Sequence, residues 1–150
     1  MRLYQKILCF ASLGAFLICS CREQSQGGHK SSVKFDQYFV KGEQLYQMNC
    51  SNCHQKNGRG LGRVYPPVDT SDFIDNKFQD VLCLLRYGRK GEIIVNGKMY
   101  NQAMPPPALT DLEIAEIATY LYNNWGRKRG IVEVTDVSQK MLNCIADSIQ

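Results

Sequence analysis

Residues 50–54 read Cys-Ser-Asn-Cys-His, and how this stretch is read decides how the rest of the chain is read. Two thiols three positions apart on one turn of helix reach the two vinyl groups on one edge of a porphyrin. A histidine directly behind the second thiol then lies beneath the ring, where its Nε2 can bind iron. C-x-x-C-H is therefore the attachment pattern of a c-type haem. With seven Cys and two His in 150 residues, chance supplies only about 0.004 such motifs. A redox-active dithiol would follow a strand in a βαβ unit, and none is visible around residue 50. Zinc would need two further ligands from His29, Cys83 and Cys144, and His29 precedes the domain. One covalent haem c is the expected cofactor, with Cys50 and Cys53 forming the thioethers and His54 binding iron.

The chain's 150 residues and 17.1 kDa suit one domain with short appendages. At its start, MRLYQK carries two positive charges and precedes the apolar run ILCFASLGAFLI. That is the layout of a secretory signal over residues 1–20, too short in its apolar part for a permanent span. Ile18-Cys19-Ser20-Cys21 resembles the lipobox of bacterial lipoproteins, which makes Cys21 the expected lipid anchor; cleavage near Ser20 leaving a free thiol is the alternative. Several acyl chains would hold the protein stably on a membrane. Residues 21–34, polar and Gly/Ser-rich, read as a flexible tether. Removing the signal takes Arg2 and Lys6, leaving 16 basic against 14 acidic residues. That balance gives no reason to expect nucleic acid as a partner.

A sixth iron ligand should come from methionine, since His29 falls in the tether. Met48 immediately precedes the motif and Met141 lies in the tail. Met104 opens Met-Pro-Pro-Pro, where prolines would hold an extended loop. Met104 is the expected ligand, with Met99 in reserve.

Three stretches in order, GEQLYQMNCSNCHQKNGRGLGRVYPPV, GKMYNQAMPP and LTDLEIAEIATYLYNNWG, resemble a class I c-type cytochrome over residues 35–126. The resemblance implies an all-α fold wrapped around one haem, with His54 and Met104 as axial ligands. It implies that the carbonyl of Pro66 or Pro67 accepts a hydrogen bond from His54 Nδ1, fixing the ring. Together with the leader and the lipobox, it makes the expected protein an exported, periplasm-facing, lipid-anchored, monomeric electron carrier with no catalytic residues. Its partners would be a quinol-oxidising complex as donor and a terminal oxidase or reductase as acceptor. The competing readings are a cytochrome subunit of a larger oxidoreductase, and a haem enzyme or sensor with an open sixth site.

The remaining elements follow from periodicity. A helix leads into the motif with Phe39, Leu45, Tyr46 and Met48 apolar, and Gly42 within it either marks close helix contact or is a surface glycine of no consequence. FQDVLCLLRYG predicts a helix ending at Gly88, and Asn96-Gly97 a turn. Thr110 and Glu113 predict a capping box before Leu112, Ala115, Ala118, Leu121 and Trp125, with Gly126 as the stop. Gly58, Gly60 and Gly62 read as letting backbone approach the porphyrin. Tyr65, Tyr100, Asn101 and Arg63 are candidates to bond the propionates or tune the Met sulfur. Lys56, Arg59, Arg63, Arg86, Arg89, Lys90 and Lys98 form a basic cluster, against Asp111, Glu113 and Glu116 on the last helix; it either steers an acidic partner or is simply solvated. Residues 127–150 read as an extension. Cys83 and Cys144 are left over, either disulfide-bonded, as export permits, or buried as free thiols.

Overall fold

A computed structural model describes residues 27–144, with side chains from residue 32. The signal at 1–20, the anchor Cys21 and the side chain of His29 lie outside the described residues. The first helix, α1 (Gly27–Asn49), passes directly into a single turn, α2 (Ser51–His54). A loop then leads to α3 (Asp72–Asn76) and α4 (Phe78–Tyr87). Strands β1 (Ile93–Val95) and β2 (Lys98–Tyr100) follow, then α5 (Asp111–Leu121) and α6 (Val134–Met141). The fold is helical but not all-α. The Asn96-Gly97 turn closes a hairpin with Ile93 opposite Tyr100 and Val95 opposite Lys98. Both turn residues have positive φ (51° and 70°), as a two-residue primed turn requires. Asn96 also latches the tip to the start of α3: its Nδ2 donates to Thr70 O and its N–H to Asp72 Oδ1, while Asp72 N–H donates back to Asn96 Oδ1.

The core forms where α1 crosses α5. A Cβ on Gly42 would lie 2.0 Å from the carbonyl oxygen of Glu116 and 2.9 Å from Tyr120 Cβ, so the helices touch through the missing side chain. Phe39, Tyr46, Tyr120 and Trp125 pack around this crossing in tilted and edge-on pairs with ring centroids 5.3–5.8 Å apart. The capping box is present: Thr110 Oγ1 accepts from Glu113 N–H, and Glu113 Oε2 accepts from Thr110 N–H at 2.8 Å. The buried stripe of α5 is Ile114, Ala115, Ile117, Ala118 and Leu121. Leu112, expected inside, is 45% exposed, because with Asp111 opening the helix it falls on the solvent side. The helix also stops before Gly126, at Tyr122.

Helical structure continues on both sides of residues 35–126. Residues 27–34, read as tether, are helical and continuous with α1, and Lys34 Nζ pairs with Glu133 at 2.6 Å. Residues 127–144 are part of the core rather than an appendage: Val132 and Val137 are fully buried. Arg129 lies over the Phe78 ring at 3.6 Å, and Ser138 Oγ donates to Asp111 Oδ2. A disulfide joins Cys83 in α4 to Cys144, settling the open choice between bonded and free thiols. Gln79 Nε2 adds a bond to Lys140 O at 2.7 Å.

Candidate functional site

Cys50 breaks the helix between α1 and α2 with φ −120°, yet the hydrogen bonds continue: Cys50 N–H donates to Tyr46 O and His54 N–H to Cys50 O, both at 2.9 Å. Gln55 then adopts φ 65° and ends the turn. The buried Tyr46 fixes that kink by donating its hydroxyl to Gln55 O at 2.7 Å. Gly60 N–H returns to His54 O, and the loop doubles back so that Pro66 O lies 2.9 Å from His54 Nδ1. Of the two prolines left open by the sequence, Pro66 makes this contact.

A carbonyl only accepts, so His54 Nδ1 carries the proton and Nε2 is left with its lone pair. Burial lowers the pKa of His54, outweighing the Pro66 bond that raises it, so the neutral ligand form is favoured. The Cys50 thiol is pushed up to about 12, first by burial and then by Cys53.

Cys50, Cys53 and His54 open onto one largely apolar cavity, whose other walls are the Met104 loop, α4 and the hairpin. Leu84 and Leu85 project from α4, and Val95 and Tyr100 from the hairpin. Pro66 and Pro67 line it from the loop after the motif. Among the described residues Met104 is the one methionine lining it; Met48 and Met99 are 62% and 59% exposed elsewhere, which weighs against the reserve candidate. Of the four candidates to bond the propionates or tune the Met sulfur, Tyr65 and Tyr100 line the cavity, whereas Arg63 and Asn101 do not.

The three glycines of the following loop do not line it either. A Cβ on Gly58 would meet Trp125 at 2.8 Å and one on Gly60 would meet Tyr65 O at 2.3 Å, so both serve the packing of the loop itself. Two of the basic residues are engaged by acids: Arg86 bonds Asp111, and Arg59 lies 4.0 Å from Asp69. Sequence reasoning missed Arg89 and Gln102 as cavity residues. Arg89 had been grouped with surface charges, and only the fold turns it inward.

Residues 39–125 match the family model for cytochrome c. The chain belongs to the cytochrome c family. It is 32% identical over 90 residues to cytochrome c-552 of Thermus thermophilus, covering 57% of this chain and 68% of that protein. A second cytochrome c-552 from the same organism matches at the same identity, with 60% of its length covered. A lower similarity, 25% over 103 residues, links the chain to the cytochrome c subunit of the quinone alcohol dehydrogenase of Gluconobacter oxydans, covering 65% of this chain and 21% of that one. As a cytochrome c, the protein carries covalently bound haem c. The cavity fits that group, because it combines two thiols, an imidazole with Nε2 available, a thioether and apolar walls. It also holds a buried Arg89 Nε without a partner. Among the described residues, no three His, Cys, Asp or Glu side chains converge as an alternative metal cage.

Proposed function

We propose that this cytochrome c is an exported, membrane-anchored carrier of single electrons, with its helices wrapped around the haem. Cys50 and Cys53 would form the thioethers, and His54 and Met104 would bind its iron. The observation that carries this reading is that one cavity collects the attachment motif and Met104 while Met48 and Met99 remain outside it. When bound, the haem supplies a one-electron couple between ferrous and ferric iron.

The protein's part is to hold the ligands still. The Pro66 carbonyl keeps the His54 ring in one tautomer and one plane. Arg89 exchanges two backbone hydrogen bonds with Met104, at 2.8 and 2.9 Å, which fixes the loop carrying the thioether. A soft thioether favours the reduced state, and keeping both ligands limits rearrangement on transfer. Apolar walls keep water from the site.

Cys21 anchors the mature chain to a bacterial membrane facing the periplasm, after removal of residues 1–20. Donor and acceptor are redox proteins, a quinol-oxidising complex and a terminal oxidase or reductase. A second reading, a cytochrome subunit of a larger oxidoreductase, is favoured by the similarity to the alcohol dehydrogenase subunit. Co-purification from the native membrane separates a stable complex from a free carrier.

The test of the main reading is the optical spectrum of protein matured with covalent haem, oxidised, reduced and with carbon monoxide. A low-spin spectrum with the Met-to-ferric charge-transfer band, lost in Met104→Ala and unchanged by carbon monoxide in wild type, is expected. High-spin iron or ready carbon monoxide binding would replace this reading with an open-site enzyme or sensor.

A further inference from the structure

We infer that Arg89 is a positioning residue that holds a propionate carboxylate of the haem and sets the charge beside the iron. The inference deepens the proposed function and rests on haem occupying the cavity described above.

Of all Asp, Glu, Lys and Arg side chains among the described residues, Arg89 is the one that lines the cavity. Its Nε is buried with no hydrogen-bond partner, while one terminal nitrogen donates to Glu92 O. Buried polar atoms are nearly always paired, and a guanidinium cannot shed its charge. An arginine placed against an apolar cavity with an orphaned donor therefore needs an anion there. The propionates are the carboxylates of haem, and arginine's planar fork matches a carboxylate with two parallel bonds.

Neighbouring residues exclude the alternatives. Arg86 is already committed to Asp111 and to Leu109 O, and Arg63 does not reach the cavity. The backbone of Arg89 is pinned to Met104 on both sides, so the cation is held at a fixed place relative to the ligand loop. Other titratable groups around the cavity are Tyr46, Tyr65, Tyr100 and His54, with Lys90 and Glu92 flanking Arg89 in sequence.

The experiment measures the midpoint potential of the full-length holoprotein across a broad pH range for wild type, Arg89→Gln and Arg89→Lys, with the optical spectrum at each point. In R89Q the carboxylate's pKa should rise by about one to three units. The midpoint should then climb as pH falls through that value, because protonation removes a negative charge that favours ferric iron. On the alkaline side R89Q should lie below wild type, having lost a cation that favours ferrous iron, while R89K keeps the wild-type alkaline plateau but shows its inflection at higher pH. R89Q and wild-type profiles that superimpose, with the Met band intact in both, would overturn the inference alone. A wild-type spectrum lacking that band would instead overturn the axial-ligand reading. Should R89Q not accumulate, R89K carries the test: its point charge in place of the fork raises the inflection, and a profile identical to wild type overturns the inference.

Discussion

Gly88 lies directly beneath Met104: a Cβ added to it would be 2.3 Å from the Met104 carbonyl oxygen and 2.6 Å from Pro106 N. Its φ is 67°, which favours glycine in any case. The glycine that ends α4 thus also sets how closely the Met104 loop can approach. Gly88→Ala must push that loop outward, with Arg89 and its paired bonds beside it. We expect weakened or lost Met coordination in G88A, read as loss of the Met-to-ferric charge-transfer band with covalent haem retained. A wild-type band in G88A would mean that the loop yields without moving the sulfur.

Gly42→Ala tests the helix crossing separately from the site. The added methyl meets backbone of Glu116, which has no rotamer to change. Overpacking of this kind costs about 1–3 kcal/mol, and contact this close belongs at the upper end. Denaturant unfolding should show the lower midpoint, while the visible spectrum of the folded protein stays as in wild type.

Cys144→Ser removes a cross-link between residues 61 apart in sequence. In the chain-entropy account such a loop contributes about 4 kcal/mol through the unfolded state. The variant should unfold at markedly lower denaturant, and reductant should bring wild type down to match. Peptide mapping without reductant should recover Cys83 and Cys144 in one linked fragment.

Thr110→Ala removes the cap that holds α5. The loss is about 1 kcal/mol, as for other capping side chains. Glu113 supplies a second readout, because its pKa is held below the ordinary carboxylate value first by the Thr110 backbone N–H and then by the Thr110 hydroxyl. A depressed folded-state pKa stabilises above the unfolded value, and that contribution is lost as pH falls through the folded one. In T110A the Glu113 titration, followed by NMR, should move upward and the acid sensitivity from this group should shrink.

The attachment motif, the capping box, α4 and the importance of Gly42 were legible in the sequence because each is a local pattern with a fixed spacing. Pro66, rather than Pro67, was not, since the choice depends on how a loop folds back. The hairpin was seen only as its Asn96-Gly97 turn, because three-residue strands carry too little alternation to register. The helical character of residues 27–34 was hidden by their own Gly27, Gly28, Ser31 and Ser32, which read as tether. Residues 127–144 looked separable because they follow the stop expected at Gly126, and the burial of Val132 and Val137 depends on partners far away in sequence. Arg89 shows the same limit most clearly: nothing local distinguishes it from Lys90, yet one lines the cavity and the other is exposed.

The Cys83–Cys144 bond also bears on how the protein is made. The described residues hold four cysteines, and four thiols offer six possible single disulfides. Only the pairing present leaves both Cys50 and Cys53 available for the cofactor. In the proposed export from the N-terminus, Cys50, Cys53 and Cys83 would emerge before Cys144, so the correct partner would arrive last. Until then each wrong pairing among those three is open to an oxidising environment, and each would consume at least one attachment sulfur. Maturation is therefore a sorting problem, in which the last thiol to appear secures the first two for their use.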